Sequence, residues 1–178
     1  MHSMKKRKII LLITGIVLQT MLYAQQKTSF GDEVGTLDGI MKAYYDVVTV
    51  KKGGKVSYTR DSLLHVPNAL VGMPQKGKDG KVSLKLISLK QFHINSDALL
   101  EKDGFYEGEI NRRIENFGSI YHVWSTYEAK NTEDGPVIER GINSIQLYFD
   151  GTRFWILSWV FENETNDQRI PQKYLLKD

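Results

Sequence analysis

Cysteine is absent from this chain of 178 residues, and its absence narrows the chemistry that the protein can perform. Without thiols there is no disulfide, no thiol nucleophile and no thiolate ligand for a metal. The four histidines include no pair at the short spacings typical of zinc sites. No glycine-rich phosphate loop opens a predicted helix either. We therefore expect neither a metal nor another cofactor, and packing must stabilise the fold.

A strong excess of charge is also lacking over most of the chain. The whole sequence has 24 basic and 21 acidic residues, a net charge of +3. Four of the basic residues and none of the acidic ones lie in residues 1–24, so residues 25–178 carry a net charge of −1. This balance provides no electrostatic basis for binding nucleic acid or an anionic membrane surface.

Long apolar runs are confined to the N-terminus. Residues 5–8 are basic, and residues 9–18 are apolar but too few to span a membrane comfortably. A small residue, Ala24, ends the expected cleavage site, although Leu22 is a less usual residue two positions before it. We predict a secretory signal peptide at residues 1–24 and a flexible leader at residues 25–35, with an uncleaved anchor as the alternative. No cysteine follows for a lipid anchor, so we expect a periplasmic or secreted protein without stable membrane insertion after cleavage.

Helical patterns dominate the first half of the remaining chain. Apolar residues at three- and four-residue steps between Leu37 and Val48 predict an amphipathic helix, with Thr36 as its cap. Residues 56–65 predict a short second helix. Strands at residues 69–73 and 82–87 predict a hairpin, because turn-forming residues separate them. Ser88 then caps a third helix that runs to about residue 100.

The second half has the pattern of an antiparallel meander. We predict four strands, at residues 105–115, 119–130, 137–150 and 152–163, since turn residues separate them. Strict alternation would place Glu107 and Glu109 on one face of the first strand and Arg112 on the other. In the last strand it would place Ser158 with Phe154, and Trp159 with Trp155.

Both faces of the predicted last strand are apolar, so both should be covered. The three helices can cover one face of the sheet. For the other face we expect a homodimer that packs through the outer sheet surface, assisted by the apolar C-terminal tail at residues 170–176.

Residues 36–178 form one predicted domain whose order of elements resembles the cone-shaped fold of the nuclear transport factor 2-like (SnoaL-like) superfamily. Residue-level likeness to a bacterial family of unknown function in that superfamily covers most of residues 36–176, and is carried by residues 104–113, 117–118, 123–128, 140–147, 154–158, 170–171 and 174–175. The resemblance implies an α+β fold: a curved antiparallel meander sheet with three N-terminal helices on its concave face. It implies a ligand pocket between them and no particular reaction.

Six residues are candidates for lining that pocket if the strands alternate regularly. The inward faces would be apolar with a few polar atoms, a pattern that favours a small, apolar or amphipathic ligand. A slip of one residue would move every side chain of a strand to the other face. The candidates are Tyr45, His93, Ser125, Tyr127, Asn143 and Ser158.

An acid–base mechanism on this fold would need a carboxylate in the pocket and a donor for a ligand oxygen. Tyr45 is the candidate donor. Glu107 and Glu109 are the candidate carboxylates, but neighbouring Arg112 and Arg113 favour their interpretation as surface ion pairs. His93 is the candidate base, but only Asp97 lies at helical spacing to orient it, which favours a partly exposed histidine on the helix without a catalytic role.

Three functions remain open from the sequence. The first hypothesis is an exported domain that binds a small molecule without catalysis. The alternatives are an isomerase or dehydratase of the SnoaL or ketosteroid isomerase type, and a protein–protein interaction module. The sequence assigns no catalytic residue, and an enclosed Asp or Glu beside Tyr45 is the feature that would favour the enzyme.

Overall fold

A computed structural model describes residues 30–176, and the expected signal peptide at residues 1–24 lies outside them. Among the helices of the described part, none combines the length and the hydropathy that a membrane crossing requires. The described elements are α1 (Leu37–Val48), α2 (Tyr58–Ser62), β1 (His65–Lys76), β2 (Val82–Ser88), α3 (Leu89–Asp103), β3 (Tyr106–Phe117), β4 (Ile120–Lys130), β5 (Glu139–Phe149) and β6 (Phe154–Asn163), with 3-10 turns at Asp32–Gly35 and Gln172–Tyr174.

The six strands form one sheet in the order β2-β1-β6-β5-β4-β3. Strands β3 to β6 are the predicted antiparallel meander, and β1 and β2 are the predicted hairpin. One strand pair differs from the expected antiparallel arrangement: β1 runs parallel to β6. The sheet is therefore mixed. The α+β class and the cover of three helices are as predicted. Helix α3 leads the chain from β2, at one edge of the sheet, to β3 at the other.

Side-chain caps define where the two long helices begin. Thr36 accepts a hydrogen bond from the backbone N–H of Gly39 at 3.1 Å, and Ser88 accepts one from Gln91 at 3.2 Å. Both caps satisfy donors that the first turn of a helix leaves free. Helix α3 ends at Gly104, whose φ of 81° suits glycine.

A bulge in β3 changes which of its side chains face the helices. Pairing with β4 shifts between Glu109 and Asn111, so Ile110 has no partner of its own in the register. Glu109 lies opposite Tyr127, and Arg112 lies opposite Ser125, on the same concave face. The predicted separation of Glu109 from Arg112 onto opposite faces is therefore wrong.

A second bulge interrupts β6. Its pairing with β5 runs from Ile156 opposite Leu147 to Ser158 opposite Gln146, which leaves Leu157 as the extra residue. Beyond the bulge Trp159 points into the core, where it is buried. Ser158 points to the outer face. The predicted alternation along this strand is correct up to Ile156 and wrong after it.

The two ends of the described chain pack against the sheet and helices. Phe30 and Val34, within the expected leader, are buried in the core. At the other end, the carbonyl of Tyr174 accepts hydrogen bonds from Asn111 Nδ2 at 3.0 Å and Thr126 Oγ1 at 2.7 Å. The C-terminal tail thus docks on the outer face of β3 and β4, as predicted.

Candidate functional site

A cavity of about 200 Å³ lies between the concave face of the sheet and helices α1 and α3. Its volume is below the ~300–1,000 Å³ typical of sites for drug-sized ligands, so only a small molecule fits. Apolar and aromatic side chains form most of its wall, and the polar groups lie on the sheet side. The lining residues are Tyr44, Val48, Phe92, Ser96, Leu100, Phe105, Glu107, Tyr127, Glu139, Asn143, Trp159 and Phe161.

Glu107 brings a carboxylate to this apolar cavity from the start of β3. The side chain is half-buried, and Asn143 Nδ2 donates a hydrogen bond to its Oε1 at 3.1 Å. Burial raises the pKa of Glu107 from 4.5 to about 7; the bond from Asn143 opposes this rise and the charge of Glu139 adds to it. The carboxyl group therefore gains and loses its proton near neutral pH.

Tyr44 on α1 faces the same cavity. Its ring is buried edge-on against Tyr45, at 5.0 Å between centroids, and against Trp159, at 5.9 Å. Burial, and next the charge of Glu107, raise the pKa of Tyr44 well above its usual value. Its proton is retained at neutral pH and is available to an oxygen atom of a ligand.

Behind the cavity wall, a chain of hydrogen bonds joins α1 to three strands. Tyr45 Oη lies 2.6 Å from Ser125 Oγ, and Ser125 in turn donates to Glu109 Oε1. Arg112 Nε donates to Glu109 Oε2 at 2.7 Å. At the other end, Asn143 Nδ2 lies 3.3 Å from Tyr45 Oη. This chain connects the partly buried Arg112 to Asn143, the residue that donates a hydrogen bond to Glu107.

Tyr127 contributes a second polar group on the sheet side of the cavity. Its hydroxyl donates to Asn163 Oδ1 and lies 3.5 Å from Glu139 Oε1. Burial and the charges of Glu107 and Glu139 raise the pKa of Tyr127 above its ordinary value. With its proton directed to Asn163, Tyr127 is a weaker candidate than Tyr44 for donating to a ligand.

Four of the six residues predicted for the pocket lie at or next to it. Tyr127 and Asn143 line the cavity. Tyr45 and Ser125 lie behind its wall, hydrogen-bonded to each other. Ser125, Tyr127 and Asn143 face this side of the sheet because β4 and β5 alternate regularly through them.

Ser158 and His93 lie elsewhere, contrary to the sequence expectation. The bulge at Leu157 turns Ser158 to the outer face, opposite Gln146. His93 is buried on the other side of α3, where its Nε2 lies 2.9 Å from Asp61 Oδ2 and its Nδ1 lies 2.9 Å from Asp97 Oδ1. The sequence favoured a partly exposed His93, and its burial between these two carboxylates shows that this expectation is wrong.

From the sequence, Glu107 was expected at the surface, and Tyr45 was the candidate donor although either Tyr44 or Tyr45 could reach in from the first helix. The adjacent arginines suggested that both glutamates form surface ion pairs, but Arg112 pairs with Glu109 and with Asp38. No ion pair of Glu107 is found within residues 30–176. No local sequence signal separates the two glutamates, because the bulge that brings Arg112 to the side of Glu109 forms only when β3 pairs with β4.

The described residues contain no group of three or more His, Asp or Glu side chains placed to hold a metal ion. The cavity also has no cation among its lining residues. Its chemistry is therefore that of carboxyl, hydroxyl and amide groups in apolar surroundings. Such groups can bind a small molecule through one or two hydrogen bonds and exchange a proton with it.

No protein-family model matches the chain, and no curated protein is similar to it in sequence. Several solved structures are similar in fold at low identity. One is a protein of unknown function with a cystatin-like fold from Nostoc punctiforme, with a TM-score of 0.53 and 9% identity, over 71% of this chain and 87% of that one.

Two other similar structures carry a description of their activity. The beta subunit of a proposed aromatic-ring-hydroxylating dioxygenase from Novosphingobium aromaticivorans has a TM-score of 0.52 and 13% identity, over 74% of this chain and 89% of its own. A proposed dehydratase of the nuclear transport factor 2-like family from Streptomyces avermitilis has a TM-score of 0.51 and 12% identity, over 75% and 96%. At these identities the likeness concerns the fold, and this chain has the nuclear transport factor 2-like fold.

Proposed function

We propose that the protein binds a small, largely apolar molecule in the cavity and that Glu107 exchanges a proton with it. The observation that carries this proposal is a carboxyl group with a pKa of about 7 facing an apolar cavity. A general acid or base is most effective when its pKa lies near the working pH. We therefore favour an enzyme of the isomerase or dehydratase type over a simple binding domain.

The proposed reaction uses Glu107 as the base and Tyr44 as the donor. Glu107 takes a proton from the carbon next to a carbonyl group of the ligand. The negative charge passes to the carbonyl oxygen, where the Tyr44 hydroxyl stabilises it by a hydrogen bond. In an isomerisation, Glu107 then returns the proton to a different carbon. In a dehydration, a hydroxyl group on the neighbouring carbon leaves as water with that proton.

A binding domain without turnover is the second candidate. The small volume and apolar wall of the cavity suit retention of a ligand whether or not a proton moves. A similar fold occurs in a dioxygenase beta subunit as well as in a proposed dehydratase, so the fold itself does not decide between them. Proton transfer by Glu107 is what would distinguish an enzyme from a binding domain.

Proton exchange at carbon tests the proposal without knowledge of the natural ligand. We expect the wild-type protein to accelerate hydrogen–deuterium exchange of cyclohexanone or 2-cyclohexenone in deuterated buffer, measured by NMR, with a rate that rises as the pH passes 7. Glu107→Gln should slow this exchange at least ~100-fold, the usual contribution of a general base. Glu115→Gln, on an exposed part of the same strand, is the matched control and should exchange at the wild-type rate.

Two results would contradict the proposed catalysis. One is exchange by Glu107→Gln at the wild-type rate. The other is saturable binding of the ketones by the wild-type protein, seen as NMR shift changes of cavity residues, with no acceleration of exchange. The second result would identify the cavity as a binding site only.

We also propose that a second copy of the chain covers part of the outer sheet face. Leu70, Leu84 and Leu86 are about half exposed there. Gly72 lies between them and has no side chain, which lets Leu86 and Val160 approach each other. A contiguous apolar surface of this kind supports self-association, and recruitment of a different protein is the alternative.

The proposal of export rests on the sequence alone. The basic and apolar segments of residues 1–24 support a signal peptide and hence a periplasmic or secreted location. The low net charge of residues 25–178 supports a partner other than nucleic acid or an anionic membrane.

A further inference from the structure

We propose that Tyr45, Ser125 and Glu109 are positioning residues for Glu107. They form a hydrogen-bond chain in which every donor is fixed, and the chain holds the Asn143 amide that donates to Glu107. This inference rests on the proposed role of Glu107 as the proton-transferring group. It concerns residues that do not line the cavity and so do not touch a ligand.

The direction of the chain is set at Glu109. Its Oε2 accepts from the Nε of Arg112 at 2.7 Å, and arginine has no lone pair with which to accept in return. Its Oε1 accepts from the Ser125 hydroxyl. Arg112 also bonds Asp38 at 2.8 Å, so its guanidinium is held from two sides. The single hydroxyl proton of Ser125 is therefore committed to Glu109.

The donor and acceptor roles of the remaining groups in the chain follow from this bond. Because the Ser125 hydroxyl donates its hydrogen bond to Glu109, its oxygen accepts a hydrogen bond from the Tyr45 hydroxyl, at 2.6 Å. The oxygen of Tyr45 then accepts one N–H of Asn143, at 3.3 Å. The second N–H of Asn143 bonds Glu107 Oε1 at 3.1 Å. Tyr45, Ser125 and Asn143 are all buried, so water does not compete for these bonds.

Two consequences follow for the reacting groups. Tyr45 cannot donate to a ligand, since its only proton is bound to Ser125, and this leaves Tyr44 as the donor on α1. Glu107 has Oε1 fixed by Asn143, while Oε2 accepts no hydrogen bond from residues 30–176. The structure thereby assigns Oε2 as the atom that exchanges the proton. The other titratable groups near Glu107, which are Glu139, Tyr44, Tyr45 and Tyr127, donate no bond to Oε1.

The pKa of Glu107, measured by NMR of carbon-13-labelled glutamate, tests this chain without any ligand. Loss of the Tyr45 hydroxyl removes one acceptor of the Asn143 amide and frees that amide to turn away from Glu107. We expect Tyr45→Phe to raise the pKa of Glu107 by roughly one unit, the equivalent of one hydrogen bond to a charged group. Ser125→Ala should raise it in the same direction.

Two further variants separate positioning from general packing. Ser125→Thr keeps a hydroxyl at the same place and should restore the wild-type pKa. Tyr121→Phe removes the hydroxyl of a half-buried tyrosine that packs on Phe154, away from the chain, and should leave the pKa unchanged. Thermal melting of each variant verifies that it is folded at the temperature of the titration.

The inference is overturned if folded Tyr45→Phe titrates at Glu107 within about 0.2 units of wild type. It is also overturned if Ser125→Thr behaves as Ser125→Ala. Both results are independent of the proposed function, since a Glu107 that responds to Tyr45→Phe but exchanges no ketone proton would contradict catalysis alone.

Discussion

Among single residues, Glu107 is the one whose surroundings differ most from those of an ordinary surface glutamate. Glu109, two residues later, has Arg112 as a partner, whereas Glu107 accepts from the amide of Asn143, has no cationic partner within residues 30–176 and lies near the charge of Glu139. Burial removes water from the carboxylate, which disfavours its charged form and raises its pKa. The protein thus keeps one glutamate as an ion pair and the other as a group that changes its charge near neutral pH.

This difference has a consequence for stability. Because the pKa of Glu107 is 4.5 before folding and about 7 after it, the unfolded chain ionises first as the pH rises. The free energy of unfolding of the wild type should therefore decrease by about 3 kcal/mol as the pH rises from 4.5 through about 7. Glu107→Gln keeps an acceptor for Asn143 and has no proton to lose. We expect it to be more stable than wild type at pH 8 and about equal to it at pH 4.

Urea denaturation at these two pH values measures the effect, with Glu115→Gln as a control that should match wild type at both. A stability difference between Glu107→Gln and wild type that is the same at pH 4 and pH 8 would contradict a raised pKa at Glu107.

At the scale of elements, the short helix α2 requires contacts with its neighbours to be stable. It has five residues, too few for a helix to be stable alone. Its Asp61 is buried and accepts from His93 of α3 at 2.9 Å. The backbone carbonyl of Asp61 also accepts from Nδ1 of His65, in β1, at 2.9 Å. Buried polar contacts therefore join α2 to both neighbouring elements.

The junction should make stability depend on pH through His93. Burial lowers the pKa of His93, but the hydrogen bonds and charges of Asp61 and Asp97 outweigh it, so the pKa lies above the ordinary 6.5. The stabilisation is complete below pH 6.5 and is lost as the pH rises through the pKa of the folded protein. Asp97→Asn should therefore destabilise the protein by about 1 kcal/mol at pH 5.5 and by much less at pH 9.

Thermal melting at both pH values provides the measurement. Asp103→Asn, an exposed change in the same helix, is the control and should have a small effect that does not vary between the two. Equal destabilisation by Asp97→Asn at pH 5.5 and pH 9 would mean that the charge of His93 does not stabilise the junction.

For the whole molecule, the apolar part of the outer sheet face is the feature that a monomer leaves exposed. The C-terminal tail covers the β3–β4 side, where Tyr174 packs against Trp124 at 5.7 Å between ring centroids. On the β1–β2 side, Leu70, Leu84 and Leu86 remain open. The proposed dimer would bury them.

Sedimentation or light scattering of residues 25–178 tests the dimer. We expect Leu86→Glu to weaken self-association at least ~10-fold, since it places a charge in an apolar interface. Leu99→Glu, at an exposed site on α3 away from that face, should leave the dimer unchanged. A wild-type protein that is strictly monomeric at micromolar concentration would contradict the proposal.

The sequence by itself determined the order and type of the elements, because the signals for these are local. Thr36 and Ser88 cap the helices that they were predicted to cap, and the strands of the meander fall within a few residues of their predicted limits. The regular alternation of β4 and β5 also allowed Tyr127 and Asn143 to be predicted as pocket residues.

Only the tertiary structure decided which side chains meet. The bulges at Ile110 and Leu157 depend on pairing with distant strands, and each reverses the faces of all later residues in its strand. They bring Arg112 to Glu109 and remove Ser158 from the cavity. The contact of His93 with Asp61 likewise spans 32 positions in the chain. Local patterns contain no information on such pairings, because the free energy that selects them comes from burial across the whole sheet.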